Sequence, residues 1–139
     1  MILIDTGPLV AILDSHDELH QLARRDLRQL AGQDLLVCSA VLSEACFFLT
    51  RVHQRRRLTA FLDELHVRPP AADADPVFRA EVFRWLEQYQ EHEPDFADGC
   101  LSVLCGREKR SRVWTYDRKF ATTWRRPDGS HIPLATKSP

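Results

Sequence analysis

The sequence predicts an α/β fold with a mostly parallel central sheet flanked by helices. Three observations carry this expectation. Short apolar runs at 2–4, 35–38 and 113–116 alternate with longer segments of helical period, the pattern of strand–helix–strand units. The first run, Ile2-Leu3-Ile4, is apolar throughout, as in a strand covered on both faces. Two runs stop at an aspartate, Asp5 and Asp117, and parallel sheets bind ligands at the carboxyl ends of their strands.

Taken in order, Thr6-Gly7-Pro8 is turn chemistry, with Pro8 suited to the first position of a short helix over 8–13. A second helix is predicted from Asp17 to about Leu30, where Leu19, Leu22, Ala23, Leu27 and Leu30 recur near the helical period. Ala31-Gly32-Gln33-Asp34 breaks it before the strand at 35–38. Ser39 suits the cap of a helix over 40–51 that is apolar almost all round and therefore predicted to be buried. Further helices are expected at about 55–65, from Asp75-Pro76 to about Gln90 with Val77, Phe78, Val82, Phe83, Leu86 and Tyr89 inward, and after Pro94 at 95–106. His66-Val67-Arg68 reads as a short strand.

The 139 residues are expected to form one domain spanning 1–139, long enough to bury a sizeable core. Residues 127–139 would add an edge strand at 131–134 and a loose tail. At 44% apolar and 28% charged, the chain is not disordered, collagen-like or a coiled coil. No apolar run approaches the ~18 residues of a membrane span. The N-terminus lacks the basic start of a secretory signal, so a cytoplasmic location is expected. Four cysteines at 38, 46, 100 and 105 lack metal-binding spacing and read as buried, reduced thiols.

The net charge of −1 conceals zoning. Five acids and no Lys or Arg lie between Glu87 and Asp98, whereas eight bases and two acids lie between Arg107 and Arg126. Arg51, Arg55, Arg56 and Arg57 form a second basic run. An anionic polymer held beside a cation-binding site would suit such zones.

Four carboxylates stand out. Asp5 and Asp117 end strands, while Glu44 and Asp98 sit within apolar helices. A lone buried carboxylate costs several kcal/mol unless it is paired or metal-bound, and four together would repel one another. No Lys or Arg adjoins Glu44 or Asp98 in sequence. A hard divalent cation, Mg2+ or Mn2+, answers both problems, with Asp5 and Asp98 as its first ligands and Glu44 as a third ligand or a water-positioning base. Such a site suits phosphodiester hydrolysis, and Arg118, Lys119 and the 107–112 run are placed to hold flanking phosphates. Each acid also has an ordinary reading: Asp5 as a helix cap, Glu44 as a partly exposed helix residue, Asp98 as a first-turn acid and Asp117 as a turn residue.

The segments I-L-I-D-T-G-P-L-V-A-I-L-D, L-S-E-A, F-A-D-G-C-L-S-V-L and V-W-T-Y-D-R-K-F resemble, in order, the motifs of PIN-domain proteins, especially VapC-type toxins, over about residues 1–120. The resemblance implies a three-layer α/β/α fold and Mg2+-dependent endoribonuclease activity. It also implies a homodimer and a small antitoxin partner. It matches Asp5, Glu44, Asp98 and Asp117 to the family's four acids and Thr6 and Thr115 to hydroxyl residues that accompany the first and fourth. Asp95 matches a position that is acidic in some members and is a secondary candidate. Gly99 departs from the alanine usual after the third acid, at a cost of about 1 kcal/mol of helix stability.

Two other classes fit less well. A phosphatase built on an aspartate after the first strand needs a second aspartate two residues on, where this chain has Gly7. A non-catalytic binding module would not need all four acids. A PIN nuclease acting in RNA processing rather than as a toxin would have the same residues.

Overall fold

β1 (Ile2–Ile4) forms where the sequence offers three consecutive apolar residues, and all three are buried. The computed structural model describes all 139 residues. β1 lies at the centre of a three-stranded parallel sheet of order β2-β1-β3, between β2 (Leu35–Leu36) and β3 (Arg112–Trp114). Ile2 pairs with Leu35 on one side and Arg112 on the other. Single bridges widen the sheet at both edges, Leu36 to Arg68 and Val113 to Leu134, both parallel. The predicted strands at 66–68 and 131–134 are thus present as bridges only.

The helices are α1 (Thr6–Leu13), α2 (His20–Gln29), α3 (Ser39–Phe48), α4 (Val52–Glu64), α5 (Pro76–Gln88), α6 (Phe96–Arg107) and α7 (Lys119–Thr122). They cover the sheet in an α/β/α arrangement, with α1 against α2, α3 and α4, α5 against α6, and α3 also touching α6. α1 begins two residues before Pro8, because the Asp5 side chain caps it. Pro8 is accommodated in the first turn, where no intrahelical bond uses its missing N–H. Ser39 is the first residue of α3 rather than its cap. Its N–H and hydroxyl both donate to Asp73 Oδ2, at 2.7 and 2.8 Å. No helix is long and apolar enough to cross a membrane. The cysteines are free, with Cys38, Cys100 and Cys105 buried and Cys46 half-buried.

Two burial expectations are overturned. α3 is not buried all round: Phe47 and Phe48 at its end are 79% and 61% exposed. α5 turns Phe78, Val82 and Trp85 inward, leaving Val77 and Phe83 largely exposed. The α5 phase follows from Gly99. A Cβ built there would stand 2.9 Å from Val82 Cγ1 and 3.3 Å from a Trp85 ring carbon. The glycine lets α6 close directly on α5. Gly99→Ala is therefore expected to destabilise the protein by about 1–3 kcal/mol through overpacking, outweighing alanine's better helix propensity. Thermal or urea unfolding of the two proteins reads this directly, and an unchanged or raised midpoint would refute it.

Candidate active site

Because β1 and β3 pair in register, the residues that follow them emerge side by side. Thr115 Oγ1 donates to Asp5 Oδ2 at 2.6 Å, although the two residues are 110 apart in the chain. Asp5 Oδ1 accepts the Thr6 N–H at 2.7 Å, so the helix-cap reading of Asp5 holds at the same time as its place on the rim. Glu44 reaches this rim from α3, and its Oε2 accepts from Thr6 Oγ1 at 2.8 Å. Thr6 and Thr115, both buried, thus each hold one carboxylate.

α6 brings two more acids. The Asp98 N–H donates to Asp95 Oδ1 at 2.8 Å and the Asp95 N–H to Asp98 Oδ2 at 3.0 Å, a reciprocal cap on the helix start. The first-turn reading of Asp98 is therefore also realised. Asp95, secondary in the sequence reading, is more central than expected. Its charge acts on Asp5, Glu44 and Asp98. Asp117 lies at the exposed edge, with its Oδ1 accepting the Lys119 N–H at 2.9 Å, and its charge reaches Asp98.

Burial pushes the Asp5 carboxyl up to about 6, despite the opposing hydrogen bonds from Thr115 and Thr6, with Asp95 and Glu44 adding repulsion. Burial and then Asp95 push Asp98 up to about 7. Glu44 is raised by burial and by Asp95, against the bond from Thr6. None of the four ion pairs in the protein involves these acids. Repulsion within the rim has no internal counter-charge, and its side-chain donor atoms are all oxygen, the type hard divalent cations select. No three donor side chains yet stand in coordination geometry.

Of the basic candidates, Arg118 is exposed. The Lys119 ammonium is engaged within the chain, donating to the His92 carbonyl at 3.3 Å and lying 5.4 Å over the Trp124 ring. One group escaped the sequence reading. Asp26, buried on α2, accepts from Tyr116 Oη at 2.8 Å, and Tyr116 sits between Thr115 and Asp117. Its position in the apolar stripe of α2, between Ala23 and Leu27, was the available signal.

The fold and this rim define a parallel α/β protein with a carboxylate cluster at the C-terminal edge of its sheet. Residues 2–124 match the PIN domain family, and the chain belongs to it. Among solved structures it is similar to Mycobacterium tuberculosis VapC20, a sarcin–ricin loop cleaving toxin, with a TM-score of 0.71 and 23% identity over 89% of this chain and 96% of that one. That likeness concerns the fold. A search of curated proteins by sequence returns no match.

Proposed function

We propose that this protein is a divalent-cation-dependent endoribonuclease and the toxin of a toxin–antitoxin pair. The observation behind the chemistry is the acidic rim, where Asp5, Glu44, Asp95 and Asp98 repel one another with no basic side chain among them. Asp5, Asp98 and Glu44 would hold Mg2+ or Mn2+, with Asp117 at the outer edge. When bound, the cation supplies an activated water and offsets charge on the attacked phosphate and leaving oxygen. Thr115 and Thr6 fix the orientation of Asp5 and Glu44, and Arg118 is free to hold a flanking phosphate. The biological role is supported by the fold shared with VapC20. A homodimer, a small antitoxin partner and a cytoplasmic setting belong to the same reading.

The test is cleavage of RNA with Mg2+ and with EDTA. Wild type should cleave only with the cation, and Asp98→Asn should lose at least about 100-fold in rate, the scale for removing a group that supports the reacting centre. Cleavage that persists in EDTA would overturn the proposal.

A further inference from the structure

We infer that the exposed end of α3 and the start of α4 form a track for single-stranded RNA, in which Phe47 and Phe48 stack on bases beside the cleaved phosphate. This rests on the ribonuclease reading and extends it to how substrate is held. Phe47 and Phe48 follow Glu44 by three and four residues, so they share its face of α3, about 4.5–6 Å further along the helix axis. Their rings form an edge-to-face pair with centroids 5.7 Å apart. Two large rings left in water beside an acidic site form an unpartnered apolar surface.

The charges beyond them suit a polyanion. Arg51, Arg56 and Arg57 are exposed and none pairs with a carboxylate. Arg51 and Arg57 line a hollow of about 420 Å³ with His16, His53 and a single acid, Asp14. Arg55 has a different task. Its Nε donates to the Leu49 carbonyl at 2.9 Å and its Nη2 to the Cys46 carbonyl at 3.1 Å, pinning α4 to the end of α3 and fixing the track's shape. The chain leading into Asp95 carries exposed Glu91 and Glu93, which repel phosphate. An RNA strand crossing the rim therefore leaves along α3. Exposed aromatic rings beside a run of arginines suit sequence-tolerant single-strand binding, the rings for stacking and the cations for the backbone. A second copy of the chain or an antitoxin helix would use the rings but has less need of the unpaired cations.

The test compares wild type with Phe47→Ser/Phe48→Ser and with Phe47→Trp/Phe48→Trp. Binding of a labelled single-stranded RNA of about 15 nucleotides is read by fluorescence anisotropy in EDTA, and kcat and KM for cleavage of the same RNA are read in Mg2+. The serine variant should weaken RNA affinity and raise KM by about 10-fold or more, because base stacking is removed, with the loss carried by KM rather than by kcat. The tryptophan variant should retain both. Arg51→Gln/Arg57→Gln should flatten the dependence of log Kd on log salt by about 0.7 for each phosphate no longer neutralised. Wild-type affinity in the serine variant would overturn the track. So would a fall from dimer to monomer on gel filtration with RNA affinity per protomer unchanged, which would make the face a self-association surface. An antitoxin that no longer binds while RNA affinity holds would overturn it in favour of a protein partner. Wild type that neither binds nor cleaves RNA would instead sink the ribonuclease reading, and the track with it.

Discussion

Asp5→Asn should abolish RNA cleavage and, at the same time, make the cation-free protein more stable. The two effects have one cause. Asp5 sits on the rim with its carboxyl pushed up to about 6 by burial, so at neutral pH the fold holds a charge that its surroundings disfavour. The sign follows from linkage. A group whose folded pKa exceeds its unfolded value favours the folded state when protonated, so its stabilising contribution is complete below about 3.8 and is lost as pH rises through about 6 for Asp5 and about 7 for Asp98. The cation-free protein should therefore lose stability between about pH 4 and 7 from these groups. A rise of about two pKa units corresponds to ~2–3 kcal/mol for Asp5, reduced by whatever solvent reaches it. Asparagine keeps the geometry, since its oxygen still accepts from the Thr6 N–H and its amide can donate to Thr115 Oγ1. Thermal melts in EDTA at pH 5 and 7.5 check this. The variant should gain several degrees at pH 7.5 and about half as much at pH 5, where Asp5 is still protonated in the folded state but already ionised in the unfolded one, and Mg2+ should raise the wild-type midpoint at pH 7.5 but not that of the variant. A variant less stable than wild type at pH 7.5 would mean that Asp5 is held by favourable contacts rather than against repulsion.

Asp95→Asn is expected to cost nearly as much activity as changing one of the principal acids. Asp95 acts on Asp5, Glu44 and Asp98 together, whereas Asp117 acts on Asp98 from the exposed edge. A loss of roughly 10–100-fold in cleavage or divalent affinity is the scale for a group that orients ligands without replacing one. Asp117→Asn should cost less. Because Asp95 also caps α6, the choice of variant matters. Asparagine caps as well as aspartate, so Asp95→Asn removes the charge alone, while Asp95→Ala also gives up the cap at about 0.5–2 kcal/mol. Both should lose activity, and only alanine should lower the melting temperature. Full activity in the asparagine variant would reduce Asp95 to a cap.

The sheet centre and its two terminal aspartates were legible in the sequence because a short apolar run followed by an acid has few other structural uses. The start of α5 was legible for a similar reason: Asp75 followed by Pro76 is a helix opening, and the Asp75 side chain does accept from the Val77 N–H at 2.9 Å. The rim's hydrogen bonds were not. Thr6 to Glu44 and Thr115 to Asp5 join residues 38 and 110 positions apart, and nothing in local spacing encodes such pairs. The exposure of Phe47 and Phe48 was hidden by the rule that an all-apolar helix is buried, which fails where only one face of the helix, here Val41, Ala45 and Leu49, meets the core. In α5 the apolar arc was wide enough to face the core in more than one phase, and the contact with Gly99 selected Val82 and Trp85 over Phe83.

The order of the strands has a consequence for synthesis. β1 is made first and occupies the middle of the sheet, but its neighbour β3 is nearly the last element of the chain. Thr115 and Asp117 arrive with β3, and Tyr116 ties that end back to Asp26. Domains emerge from the ribosome N-terminal end first, at about 5–20 residues per second. A nascent chain therefore carries Asp5, Glu44, Asp95 and Asp98 for some seconds before the last wall of the rim exists. The rim is therefore complete only once β3 has docked and Thr115 can donate to Asp5.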